Sequence, residues 1–128
     1  TEKDGRIVYQ LPIINGLENG IAKGVYNDGS RLLERNYVNG KIEGTFKQWW
    51  PNGHFRYLFH YRNNLLDGRQ LICYPNGNKR QISHYLNGEE EGLQQYWNIN
   101  GQLVSNYTIK NKRLYGIIKV KNCISLSH

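Results

Sequence analysis

Apolar residues in this chain come in short runs of seven or eight positions, each closed by a turn rich in glycine and asparagine. Runs such as "TFKQWWP" and "HFRYLFHY" are dominated by aromatic and branched side chains, which suit a pleated, half-buried backbone. A turn signal roughly every twelve residues disfavours helices. Residues 74–92, "YPNGNKRQISHYLNGEEEG", hold two Asn-Gly pairs and a further glycine. Asn-Gly between apolar runs is the strongest short hairpin signal, because both positions accept positive φ. The pattern predicts an all-β chain of successive hairpins.

One shift organises the turns. Gly5, Gly29, Gly53, Gly77 and Gly101 are spaced by 24 residues, as are Gly20, Gly44, Gly68, Gly92 and Gly116. Gly16, Gly40 and Gly88 form a third column whose gaps are filled by Asn64 and Lys112, so 13 of the 14 glycines obey one period. Asn15, Asn39, Asn63, Asn87 and Asn111 make an unbroken asparagine column, and Tyr37, Tyr61, Tyr85 and Ile109 make another. Val25, Trp49, Cys73 and Trp97 lie beside Tyr26, Trp50, Tyr74 and Asn98. Periods of this length mark stacked supersecondary units that bury their apolar faces only against neighbours. The ruler divides residues 1–128 into one domain with units at about 5–28, 29–52, 53–76, 77–100 and 101–124.

The ruler also predicts geometry. The Asp/Asn-Gly turns of the first column are expected to close tight two-residue hairpins, pairing Trp50 with Phe55, Tyr74 with Lys79 and Tyr26 with Arg31. "NGKIEG" and "NGEEEG" read as wider connections. Two strands per unit advance the sheet by about 9.6 Å, so nearly five units span about 45 to 50 Å. Alternation places Trp49, Trp97, Leu58 and Ile82 opposite in direction to Trp50, Phe55 and Tyr57. Both faces are apolar in part, and pattern alone does not choose the covered one.

The columns "G-x-x-x-x-W-W-P-N-G" from Gly44 and "H-Y-L-N-G-E-E-E-G" from His84 resemble the MORN repeat, in the variant common in bacterial proteins. The resemblance covers residues 4–120, and its specificity comes from repetition in register. It implies an elongated single antiparallel sheet of about five 24-residue β-hairpin units and no intrinsic catalysis. Members of that bacterial group are often described as antitoxins of toxin–antitoxin systems; MORN repeats elsewhere serve protein interaction and dimerisation, and acidic-lipid binding has been proposed for some. Ile109, Lys112 and Ser125 depart from the pattern, which predicts an irregular C-terminal cap.

Composition narrows the chemistry. With 38% hydrophobic and 12% aromatic residues the chain can support a fold, and ten tyrosines and three tryptophans against no methionine suit half-buried surfaces over a thick core. No apolar run is long enough to cross a bilayer as a helix. The missing initiator methionine points to removal of an N-terminal segment, so cytoplasmic and exported or periplasmic locations both stay open. His60 and His84 are one unit apart, about 9.6 Å along the sheet, too far for an easy shared metal. Cys73 and Cys123 fall about 20 Å apart by the ruler, beyond disulfide reach. Glu89, Glu90 and Glu91 read as a solvated loop. Neither metal nor cofactor is expected, and nucleic acid is disfavoured because the basic residues alternate with apolar ones along strands.

The expected function is a non-enzymatic protein-binding module, an antitoxin or immunity-type neutraliser of a toxin or effector protein. Its anchors are Trp49, Trp50, Phe55, Tyr57, Tyr74 and Trp97, residues of the types that dominate binding hot spots, with Arg56, Lys79 and Arg80 supplying charge. The net charge of +7 is uneven. Residues 92–128 carry five cations and no acid, so Lys110, Lys112 and Arg113 form an alternative site for acidic lipid or another anionic ligand. A third reading is an oligomerisation scaffold.

Overall fold

The computed structural model describes the backbone of residues 5–9 and 12–119 and the side chains of residues 12–116. No helix occurs among the described residues. Fourteen strands run in chain order: β1 (Gly5–Tyr9), β2 (Ile13–Ile14), β3 (Leu17–Glu18), β4 (Gly20–Tyr26), β5 (Arg31–Val38), β6 (Lys41–Trp49), β7 (Phe55–Arg62), β8 (Leu65–Leu66), β9 (Gly68–Cys73), β10 (Lys79–Leu86), β11 (Glu89–Glu90), β12 (Gly92–Trp97), β13 (Leu103–Lys110) and β14 (Arg113–Lys119). Twelve of them form one sheet whose main path is β1-β4-β5-β6-β7-β9-β10-β12-β13-β14. All its pairs are antiparallel. β1 and β14 are not joined, so the sheet is open. Ten strands at about 4.8 Å spacing extend it over roughly 43 Å.

Two turn types alternate along the chain, and their roles are the reverse of those expected. At Asn39-Gly40 (φ 49° and 81°) and Asn87-Gly88 (φ 50° and 85°) both residues have positive φ. Val38 there pairs directly with Lys41, and Leu86 with Glu89. These are the two-residue turns, whose twist matches that of the strands. The Asp/Asn-Gly turns of the other column are longer. The Gly53 amide donates to the Trp50 carbonyl (2.9 Å) and the Trp50 amide to the His54 carbonyl (2.8 Å), enclosing Pro51, Asn52 and Gly53. Of these three only Gly53, at φ 93°, has positive φ. Proline fixes φ for the first central position of such a turn, and the asparagine side chain caps it, Asn52 Oδ1 accepting from the His54 amide at 3.0 Å.

The longer loop shifts every cross-hairpin pair by one residue. Phe55 faces Trp49, Lys79 faces Cys73 and Arg31 faces Val25, where a two-residue loop would have matched Trp50, Tyr74 and Tyr26. A bulge between Gln48 and Trp49 also turns Trp49 onto the Phe55 side. The two rings stack at 5.5 Å, so Trp49 is not opposite in direction to Phe55.

Register assigns the faces. Ala22, Leu33, Phe46, Tyr57, Phe59, Gln70, Ser83 and Gln94 share one, and Lys23, Glu34, Lys47, Leu58, Leu71 and Ile82 the other. Ala22, Leu33, Gln70, Ser83 and Gln94 are buried, so the first face is the better covered. Glutamines enter it where the ladder opens. β10 pairs with β12 only at Gln81–Tyr96 and Ile82–Gln95. Beyond that the Gln94 carboxamide, 0% exposed, accepts from the His84 amide (3.3 Å) and donates to the His84 carbonyl (2.9 Å). Gln70 does the same for His60 between β7 and β9, at 2.7 and 3.1 Å.

Ile109 and Lys112, where an irregular cap was expected, lie in a regular hairpin. β13 and β14 remain paired, with Lys110 facing Arg113 across the two-residue turn. Ser125, Cys123 and Lys121 lie outside the described residues.

Candidate functional site

The three-residue loops gather at one edge of the sheet, and the tandem order of hairpins brings the aromatic columns there into two rows. A hydrogen-bonded spine links each loop to the next. Tyr26 Oη donates to the Trp49 carbonyl (2.8 Å), Trp50 Nε1 to the Cys73 carbonyl (3.0 Å) and Tyr74 Oη to the Trp97 carbonyl (2.8 Å). Asn52 and Asn76 repeat the step beyond, donating to the carbonyls of Pro75 (2.7 Å) and Ile99 (3.2 Å). Tyr and Trp suit this position because each combines a large apolar body with one donor. Among the expected anchors, Trp49 is 2% exposed and is a core residue, with no surface for a partner. Trp50 and Tyr74 commit their polar tips to the spine. Phe55, Tyr57, Tyr74, Trp50 and Trp97 are all half-buried.

Cations cover the rings in a regular series. The Arg56 guanidinium lies 4.5 Å from the Trp50 ring centre and 5.1 Å from that of Tyr57. Arg80 stands in the equivalent relation to Tyr74 at 5.9 Å. The second row is reached from the preceding hairpin, Arg31 over Trp49 at 4.4 Å and Lys79 over Trp97 at 4.5 Å. Contacts at such distances lie within the range of cation–π attraction. Arg31, Lys79 and Arg80 are exposed and Arg56 is half-buried. A hollow of about 240 Å³ opens beside Lys79 and Trp97, completed by Asn78 and Gly101. The structure therefore brings Arg56, Lys79 and Arg80 together with their aromatic partners. It adds Arg31, which sequence reasoning missed because 18 positions separate it from Trp49 and only the sheet register joins them.

The opposite edge, built from the two-residue turns, is where most acids lie. Glu43, Asp67 and Glu91 each accept a hydrogen bond from the backbone amide of the next turn, at Asn63 (2.9 Å), Asn87 (3.0 Å) and Asn111 (3.2 Å). The glutamate triplet is thus structured: Glu89 and Glu90 form β11, and Glu89 pairs with Lys112 at 3.5 Å. Lys110, Lys112 and Arg113 flank one exposed turn, but the Lys112–Glu89 pair reduces the free charge there.

The rest of the chemistry is structural. Among the described residues no group of three or more His, Cys, Asp and Glu could hold a metal ion. His60 Nδ1 lies 2.7 Å from the Arg69 carbonyl and His84 Nδ1 2.7 Å from that of Leu93. A carbonyl only accepts, so both rings carry the Nδ1 proton. Burial pushes the Cys73 thiol up, against the lowering influence of Arg69 and Lys79, and a raised thiol is a poor nucleophile. Tyr107 is pushed up to about 12, first by burial and then by its hydrogen bond with Tyr96 and the charges of Tyr96, Glu90 and Tyr85. Burial also raises Tyr61 and Tyr85. No helix among the described residues is long and apolar enough to cross a membrane.

Fold and edge together define an all-β, hairpin-built sheet with a cation-covered aromatic rim. No protein-family model matches the chain, and no curated protein matches it.

Proposed function

We propose that the chain is a non-enzymatic protein-binding module and, following its resemblance to bacterial MORN-repeat proteins, a neutraliser of a toxin or effector protein. The observation that carries this reading is the rim itself, where half-buried Trp50, Tyr57, Tyr74 and Trp97 lie in register under basic side chains. Aromatic and arginine side chains supply most binding hot spots. A sheet of this length can also offer the roughly 800 Å² per partner that a stable complex needs.

The test is capture of a partner encoded beside this gene by the intact chain and by a Tyr57→Ala, Trp97→Ala double variant. These two positions leave the spine donors Tyr26, Trp50 and Tyr74 in place. Loss of capture is expected from a variant that melts lower, because both rings are half-buried, but still cooperatively and above the assay temperature; equal capture by both proteins would sink the reading. Binding to anionic vesicles that survives in the rim variant and disappears with Lys110→Glu, Lys112→Glu and Arg113→Glu would favour the acidic-lipid alternative. A concentration-dependent rise in mass by light scattering would favour the scaffold.

A further inference from the structure

The rim has an excess of one charge and a fixed spacing. Arg31, Arg56, Lys79 and Arg80 all belong to the strand starts that follow the three-residue loops. Among the described residues the acid on those loops is Asp28, whose carboxylate accepts from the Ser30 amide (3.0 Å) and hydroxyl (2.6 Å). Glu18, Glu43, Asp67, Glu89, Glu90 and Glu91 lie toward the opposite edge, and Glu34 is paired in register with Lys23 and Lys47 in mid-sheet. None of the four rim cations has an ion pair among the described residues.

We propose that this rim binds an extended acidic segment of a partner protein, with carboxylates at every third residue, lying across the strands. The inference rests on the protein-binding reading and names the chemistry of the partner. A guanidinium held over an aromatic ring keeps its planar fork of N–H donors available at its edge, and that fork matches a carboxylate in bidentate fashion. Its rotamer freedom is already reduced, so less is lost on binding. Arg56 and Arg80 are the second residues of β7 and β10, with β9 between them, so they are two strand spacings, about 9.6 Å, apart. An extended chain in the polyproline II form has three residues per turn and advances about 3.1 Å per residue, so every third side chain faces the same way at about 9.3 Å intervals. The hollow beside Lys79 and Trp97 offers room for a further acidic side chain. Bases of a single-stranded nucleic acid would need open ring faces to stack on, whereas Trp50 and Trp97 carry cations and Trp49 is buried.

Tryptophan fluorescence of the intact chain tests this by titration with a peptide of repeated Glu-Ser-Gly triplets. The controls are a peptide of the same composition with its glutamates in one block and a homothymidine oligonucleotide. The triplet peptide should bind more tightly than either control. Affinity should fall about tenfold in an Arg56→Gln, Arg80→Gln double variant, the loss expected from two surface ion pairs. It should be unchanged by Lys110→Gln, Lys112→Gln and Arg113→Gln. Glutamine keeps much of the stem over the rings, and an unaltered melt confirms that the variant is folded. Equal binding of the block peptide, tighter binding of the oligonucleotide, or an unaffected Arg56→Gln, Arg80→Gln variant would each overturn the proposal. If protein capture depends on Tyr57 and Trp97 while the triplet peptide does not bind, this inference falls and the protein-binding reading stands.

Discussion

Replacing either buried glutamine by leucine keeps the side-chain volume and removes only the carboxamide. In Gln94→Leu the His84 carbonyl still receives the Glu91 amide at 2.9 Å, and in Gln70→Leu the His60 carbonyl still receives the Asp67 amide at 3.0 Å. The loss therefore falls on the histidine amides, each left without its acceptor inside the sheet. A stranded donor of this kind costs about 1–3 kcal/mol. The Gln70 carboxamide makes bonds of 2.7, 3.1 and 3.1 Å, against 3.3, 2.9 and 3.4 Å for Gln94. Gln70→Leu should accordingly cost more than Gln94→Leu. Urea unfolding followed by tryptophan fluorescence measures both, and amide exchange should accelerate at His60 or His84 while Ile82, within regular ladder on both sides, stays protected. Wild-type stability in both variants, or a larger loss from Gln94→Leu, would refute the view that these carboxamides stand in for backbone.

Lys112 adopts φ 66° at a turn position where Gly40 and Gly88 stand in other units, so Lys112→Gly should stabilise by about 0.5–1 kcal/mol in thermal melts, the exposed pair with Glu89 offsetting little. Asn64 at φ 68° also accepts from the Ile42 amide at 2.7 Å, so Asn64→Gly should gain nothing. Folded Tyr107 keeps its proton up to about pH 12 whereas the unfolded side chain loses it near 10. Its contribution is therefore complete below pH 10 and is lost as the pH rises through 12; ultraviolet titration should show Tyr107 ionising late, and Tyr107→Phe should lessen the alkaline loss. Cys73, buried with a raised thiol pKa, should resist iodoacetamide in the folded protein and react in urea, as peptide mapping by mass spectrometry would show.

Hairpin order and strand positions were legible in the sequence because both depend on local signals, glycine spacing and aromatic runs. Loop length was not read correctly from Asn-Gly alone. A sequence signal for the longer loop exists in two of its four occurrences, where Pro51 and Pro75 precede the pair and fix φ at the first loop position; Asn27 and Ile99 stand there in the other two, and Ile99 does not differ in kind from Val38 or Leu86, which lead straight into two-residue turns. That one-residue difference moved Trp49 from the expected binding surface into the core. The cation–ring series was only partly visible. Arg56 and Trp50 are close in sequence, but Arg31–Trp49 and Lys79–Trp97 depend on pairing between neighbouring hairpins. Gln70 and Gln94 gave no signal, since their role exists only where the ladder opens beside Gly68 and Gly92.

The spine bonds all point the same way, from a side chain in one hairpin to a carbonyl 23 residues later. Each junction is therefore a directed coupling with a donor end and an acceptor end, like a hook and an eye. A duplicated 24-residue segment would bring its own hook and meet an eye already formed, so the chain can lengthen by tandem copying without any new contact having to be invented. The rim would lengthen with it, one arginine and one ring at a time.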